Sequence, residues 1–210
     1  MMNKKESPNL ESISIEKTID ELIVSLEKEL PEGRIRLKKF IDFFKKKFPL
    51  EQNPERRGRA DAITWALMDV PLILYGLNKN GSAIIELHGI LERFVLRETV
   101  YLIRGSLEEG ILTRVFERFT LPELVEILYN LKKMEKADVK FAKKLTRIRN
   151  GLAHKNPRII SNIVLSGKEI SVLDIDTVMT KFDCVPLLIN AIDFLVRLSA
   201  FTKKDKGSGD

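Results

Sequence analysis

An arginine, an asparagine and a histidine come together once in this chain, in the run Arg149-Asn150-Gly151-Leu152-Ala153-His154. The protein has two histidines in all, so this run gathers its sparse catalytic side-chain types in one place. Such a trio can act on RNA without a metal. A neutral imidazole, with an ordinary pKa of about 6.5, can take the proton from a ribose 2′-OH. The freed oxygen attacks the adjacent phosphorus, and a guanidinium is suited to hold the charge growing on the phosphate oxygens. Asn150 can hydrogen-bond the phosphate or fix the His154 ring. The products are a 2′,3′-cyclic phosphate and a 5′-OH. DNA, which lacks the 2′-OH, should resist.

A helix has to position these groups. With about 100° of turn per residue and Arg149 at zero, Phe141, Leu145, Ile148 and Leu152 gather at roughly 290°. Asn150 falls at about 100° and His154 at about 140°, with Lys143 and Arg147 at about 120° and 160°. A helix capped by Asp138 therefore buries one stripe and turns Asn150 and His154 outward, with Arg149 on the flank. Lys143, Arg147 and Lys155 supply positive charge for an RNA backbone around them.

Arg149, Asn150 and His154 match the R-N-x3-H form of the R-x4-6-H motif, and the region from 80 to 203 resembles a HEPN domain, the helical domain of many metal-independent ribonucleases. The resemblance implies an endoribonuclease acting in defence or stress response. It also implies two motifs brought together across a dimer. This chain carries one motif, so a homodimer with both Arg149 and both His154 in one cleft would complete the chemistry, the second imidazole serving the leaving 5′-oxygen. The small Ala142, Gly151 and Ala153 would let two such helices approach closely. A noncatalytic RNA- or nucleotide-binding HEPN protein and a helical partner in a toxin and antitoxin pair are the alternatives. Some HEPN toxins carry a tyrosine two residues after the motif histidine, where a partner modifies it. Here that position is Asn156.

Composition sets the frame. With 210 residues and 44% hydrophobic side chains the chain can bury a full core. Its net charge of +6 favours anionic partners. One cysteine, Cys184, excludes an intramolecular disulfide and fits a reducing compartment. The N-terminal lysines have no apolar stretch behind them, and Asp193 and Arg197 interrupt the most apolar run, so a cytoplasmic protein with no leader and no membrane span is expected. No P-loop, dinucleotide fingerprint, kinase set or nucleophile elbow is present. Two histidines and one cysteine make no zinc site, and Asp174-x-Asp176 suits turns or caps better than magnesium. Neither metal nor cofactor is expected.

Periodicity predicts helices nearly throughout. Residues 15–30 form a first helix, with Ile19, Leu22, Ile23 and Leu26 in register, ended by Pro31-Glu32-Gly33. Residues 34–48 place Leu37, Phe40, Ile41, Phe44 and Phe48 on one face. From 31 to 60 there are ten Lys and Arg against four Asp and Glu, which reads either as an RNA-gripping surface or as an ordinary solvated face. The polar stretch 49–58 is the expected boundary, giving an N-terminal extension over 1–58, a HEPN-like domain over 59–203 and a flexible tail over 204–210.

Within the main domain, residues 60–70 and 82–104 are helical. In the second of these His88 lies on the apolar side near Glu92, the usual place of a packed, hydrogen-bonded histidine. Thr120 and Glu123 form a capping box. Asp183 caps a last helix that is apolar nearly all round. The β-branched residues of 159–175, around Ser166-Gly167-Lys168, suggest a short β-hairpin or extended excursion. The fold expected is thus all-α: an up-and-down bundle with that excursion and two extra N-terminal helices.

Overall fold

A computed structural model of the chain describes residues 31–104, 108–164, 167–168 and 170–204. The helix expected over 15–30 and the end of the tail lie outside them. The described residues form ten α-helices and one 3₁₀ turn, with no strand. In chain order the helices are α1 (Pro31–Lys47), α2 (Pro54–Leu67), α3 (Asp69–Gly76), α4 (Asn80–Ile103), α5 (Glu109–Phe116), α6 (Leu121–Asn130), α7 (Lys136–Ala153), α8 (Pro157–Val164), α9 (Ile175–Lys181) and α10 (Val185–Lys204).

The helix starts follow from local chemistry. The Asn53 side chain accepts the Arg56 N–H at 2.9 Å and Pro54 takes the first helical position, so α2 begins inside the stretch expected to be a linker. Pro31-Glu32-Gly33 opens α1, because a proline in the first turn forfeits no intrahelical bond. Glu123 accepts the Thr120 N–H at 2.7 Å and its hydroxyl at 2.8 Å, as the capping box requires. Those hydrogen bonds hold the exposed Glu123 carboxyl below its ordinary range. Asp183 accepts from the Val185 N–H at 3.2 Å at the head of α10.

The expected hairpin is absent from the described residues. Ile159 to Val164 belongs to α8, Val172–Asp174 is the 3₁₀ turn, and Ile175 opens α9. The apolar residues of this stretch sit at 159, 160, 163 and 164, a spacing that also makes one helical face. The Asn156 side chain accepts the Ile159 N–H at 3.3 Å and Pro157 follows it, which starts a helix where β-branching alone suggests a strand.

The long α4 is the hub, packing on α3, α5, α6, α7, α9 and α10. α7 lies against α4, α6 and α8, while α10 lies against α1, α2 and α4. Leu37, Phe40 and Phe44 of α1, with Phe48 just past its end, share one buried cluster with Leu188, Ile192 and Leu195 of α10. Each such side chain contributes about 1.5–3 kcal/mol by leaving water. Asn80 fastens the start of α4 to the end of α9: its amide donates to the carbonyls of Met179 at 2.8 Å and Phe182 at 2.9 Å. The fully buried Cys184 thiol donates to Asn80 Oδ1 at 3.6 Å, and burial pushes that thiol up to about 12.

Candidate functional site

The site is built on the junction of α7 and α8. α7 stops at Ala153, and the next three amides close its end: His154 N–H donates to Asn150 O at 3.0 Å, Lys155 N–H to Leu152 O at 3.2 Å and Asn156 N–H to Gly151 O at 2.8 Å. This is a Schellman motif, with Lys155 at φ 45° in the left-handed position that glycine usually takes. Asn156 then caps the start of α8, so His154, Lys155 and Asn156 carry the chain from one helix into the next. The close approach of the two helices needs Gly151. A Cβ there would sit 2.8 Å from Ile159 Cγ2 and 2.9 Å from Ile160 Cδ1.

Arg149 and Asn150 are half-buried and bonded to one another, Arg149 Nη1 donating to Asn150 Oδ1 at 3.0 Å. Asn150 thus holds the arginine. The observed buried arc of α7 is wider than the apolar stripe, taking in Asp138, Val139, Ala142 and Gly151, and Arg149 lies within its borders. His154 is exposed, and its imidazole has no hydrogen-bond or ion-pair partner among the described residues.

The surrounding cations divide. Arg147 and Lys155 are exposed as expected. Lys143 is also exposed but pairs with Glu126 of α6 at 2.5 Å, so it adds less net positive potential than its position on the helix suggests. Near the N-terminus several basic groups have partners within the fold: Lys39 with Asp183 at 2.9 Å, Lys47 and Arg56 with Asp193 at 3.2 and 2.5 Å, and Arg57 with Asp61 at 3.1 Å. The charge surplus of 31–60 is therefore spent in part on packing. Of the small residues expected at a dimer contact, Ala142 and Gly151 are buried by the chain's own helices, which leaves Ala153 exposed.

His88 is in the core beside Glu92, as the sequence suggested, at 3.9 Å from Nδ1 to Glu92 Oε2. It also reaches α7. Its Nε2 and the Thr146 hydroxyl share a hydrogen bond of 3.0 Å. Burial lowers the His88 pKa below its ordinary value; Glu92 opposes the shift and Arg149 reinforces it. A second feature unmarked by the motif is a cavity of about 410 Å³ lined by Pro157, Arg158, Ser161, Asn162, Gly167 and Ile170. Its polar residues lie on one side of α8, immediately after the motif, and only the helical assignment of that segment makes them visible as a group.

Among the described residues no helix is long and apolar enough to cross a membrane, and no group of three or more His, Cys, Asp or Glu side chains is placed to hold a metal ion. Compared with models of protein families, with curated proteins and with solved structures, the chain has no match.

Proposed function

We propose that this protein is a metal-independent endoribonuclease of the HEPN type. The observation that carries the reading is an exposed imidazole, without a partner among the described residues, at the end of a helix whose preceding turn holds a guanidinium braced by Asn150. His154 takes the 2′-OH proton, the 2′-oxygen attacks phosphorus, and Arg149 stabilises the charge on the phosphate oxygens. The bond to the 5′-oxygen breaks, leaving a 2′,3′-cyclic phosphate and, once that oxygen is protonated, a 5′-OH. Arg147, Lys155 and the Arg158 side of the adjacent cavity guide the RNA backbone to the site.

One imidazole leaves the 5′-oxygen without an acid, and a homodimer supplies the second His154. With Ala142 and Gly151 buried, the contact forms through the exposed end of α7 and the turn after it. The helices then serve as the bundle that presents two such ends to one cleft, in a cytoplasmic role in defence or stress response, with an antitoxin as the controlling partner.

The test is cleavage of single-stranded or loop RNA in EDTA, scored for cyclic phosphate ends. Wild-type rates in either Arg149→Ala or His154→Ala would refute the assignment. A dimer with one His154→Ala protomer tests the shared cleft, because independent sites keep half the rate whereas a shared acid and base keep far less. Binding of RNA with no cleavage at all would favour a noncatalytic RNA-binding role, to which the cavity beside Arg158, Ser161 and Asn162 also lends itself.

A further inference from the structure

α4 and α7 meet along a seam of apolar side chains, among them Ile84, Leu87, Leu91, Leu145 and Ile148. His88 interrupts that seam. At 4% exposure its ring is removed from water, a position where leucine would pack without any polar group to satisfy. The ring is satisfied across the seam, by the Thr146 hydroxyl at 3.0 Å. Thr146 stands three and four residues before Arg149 and Asn150, so all three lie on one side of α7.

A single polar link across an apolar seam selects register more than it adds stability. Apolar side chains tolerate sliding; a hydrogen bond between two particular atoms does not. Slipping α7 by one residue turns it by about 100°, which would strand the His88 nitrogen and swing the guanidinium away from its place. We propose that His88 is the positioning residue for Arg149: through Thr146 it sets the rotation of α7 and hence the direction in which the guanidinium meets an RNA phosphate. This inference rests on Arg149 being the phosphate-holding group of the proposed nuclease.

The charges felt at the ring are Glu92, on its own helix, and Arg149, from α7. With its proton on Nδ1, toward Glu92, the neutral ring accepts from the Thr146 hydroxyl through Nε2. A protonated ring would set a second cation against Arg149, so the arrangement belongs to the neutral form.

The experiment uses the full chain and three variants: Thr146→Val, which keeps the shape and removes the hydroxyl, His88→Leu, and His88→Gln, which keeps a neutral acceptor. On a short RNA in EDTA, Thr146→Val and His88→Leu should lower kcat by about 10- to 100-fold, the scale of a misplaced catalytic group, with little change in KM. His88→Gln should recover most of that loss, which a role in packing alone would not produce. With two histidines, the ring signals in an NMR titration are assigned by comparison with His154→Ala. Arg149→Gln should move the His88 midpoint upward, because a neighbouring cation is removed.

The outcomes separate the two ideas. If Arg149→Ala abolishes cleavage while Thr146→Val and His88→Leu cleave at the wild-type rate, the nuclease stands and the positioning role is wrong. If Arg149→Ala cleaves normally, the nuclease assignment falls. An unmoved His88 midpoint in Arg149→Gln overturns the positioning role whether or not RNA is cut.

Discussion

The two ends of α7 treat charge in opposite ways. At its start Asp138, 2% exposed, accepts the Glu135 N–H at 2.8 Å and is paired with Arg197. Arg197 also bonds Asp193 at 3.0 Å, and Asp193 gathers Lys47 and Arg56 as well, so five charges from four helices close on one another. At the far end Arg149 is held by an amide, and His154 and Arg147 stand in solvent without an acidic partner among the described residues. Charge at one end is consumed in folding; at the other it is displayed. The difference separates Arg197 of α10, a structural arginine, from Arg149 of α7, a functional candidate, which neither residue type nor spacing can do.

The sharpest way to break this contrast is to remove the displayed groups. His154→Ala should lower RNA cleavage by about 10²- to 10⁴-fold and Arg149→Ala by about 10²- to 10³-fold, with the melting temperature unchanged. Loss of folding instead would make the two ends alike. The opposite pattern is expected of Asp193→Ala, which leaves Lys47 and Arg56 without this acceptor and Arg197 with Asp138 alone, and should cost about 1–3 kcal/mol in chemical denaturation.

Acid sharpens the same point. Burial alone would raise the Asp193 carboxyl, but the Arg56 hydrogen bond and the charges of Arg197 and Lys47 outweigh it and hold the pKa below the ordinary carboxylate value. Its contribution is therefore full above an unfolded-state pKa of about 3.9 and is lost as pH falls from there through the folded value. Asp193→Asn should flatten that part of the stability curve. His88 acts at milder pH. Its folded pKa is lowered, so the unfolded chain takes the proton first, and stability should decline as pH drops below about 6.5. A curve in His88→Gln that keeps the same slope would contradict this.

Smaller effects test whether the displayed end is itself a folded device. Gly151→Ala drives a methyl against Ile159 and Ile160 and should cost about 1–3 kcal/mol, read from the unfolding midpoint. Lys132 and Lys155 both occupy left-handed positions after a helix, at φ 57° and 45°. Replacing either with glycine relieves about 1–2 kcal/mol of strain and frees the unfolded chain by about 0.4–1 kcal/mol, for a net gain of roughly 0–1.6 kcal/mol. Both variants should melt slightly higher. Only Lys155→Gly should also weaken RNA binding.

What could be seen in the sequence was local. The Thr120 and Glu123 cap, the Asp183 cap and the placement of His88 beside Glu92 involve residues within four positions of one another, and short-range chemistry decides them. The segment 159–164 is ambiguous in the sequence because Ile159, Ile160, Ile163 and Val164 satisfy a β-propensity and a helical face equally, and the Asn156-Pro157 start signal is what separates them. Asp138 caps α7 from the third helical position, accepting the N–H of the N-cap Glu135, and it also serves Arg197, a partner 59 residues away that no local spacing records. The link from His88 to Thr146 spans 58 residues and depends on the register of two helices, which no spacing within either one records. Asp193 did carry a signal. An acid inside the most apolar helix is seldom buried without company.

The lone buried thiol at the corner of α4, α9 and α10 gives the fold a clock of its own. Only thiolate reacts readily with a disulfide reagent, and in the closed protein Cys184 is both shielded and pushed up to about 12. Labelling must therefore wait for Asn80 to release its carbonyls. Because the chain has a single cysteine, the labelling rate in native buffer counts the openings of that one corner, with no competing site to disentangle.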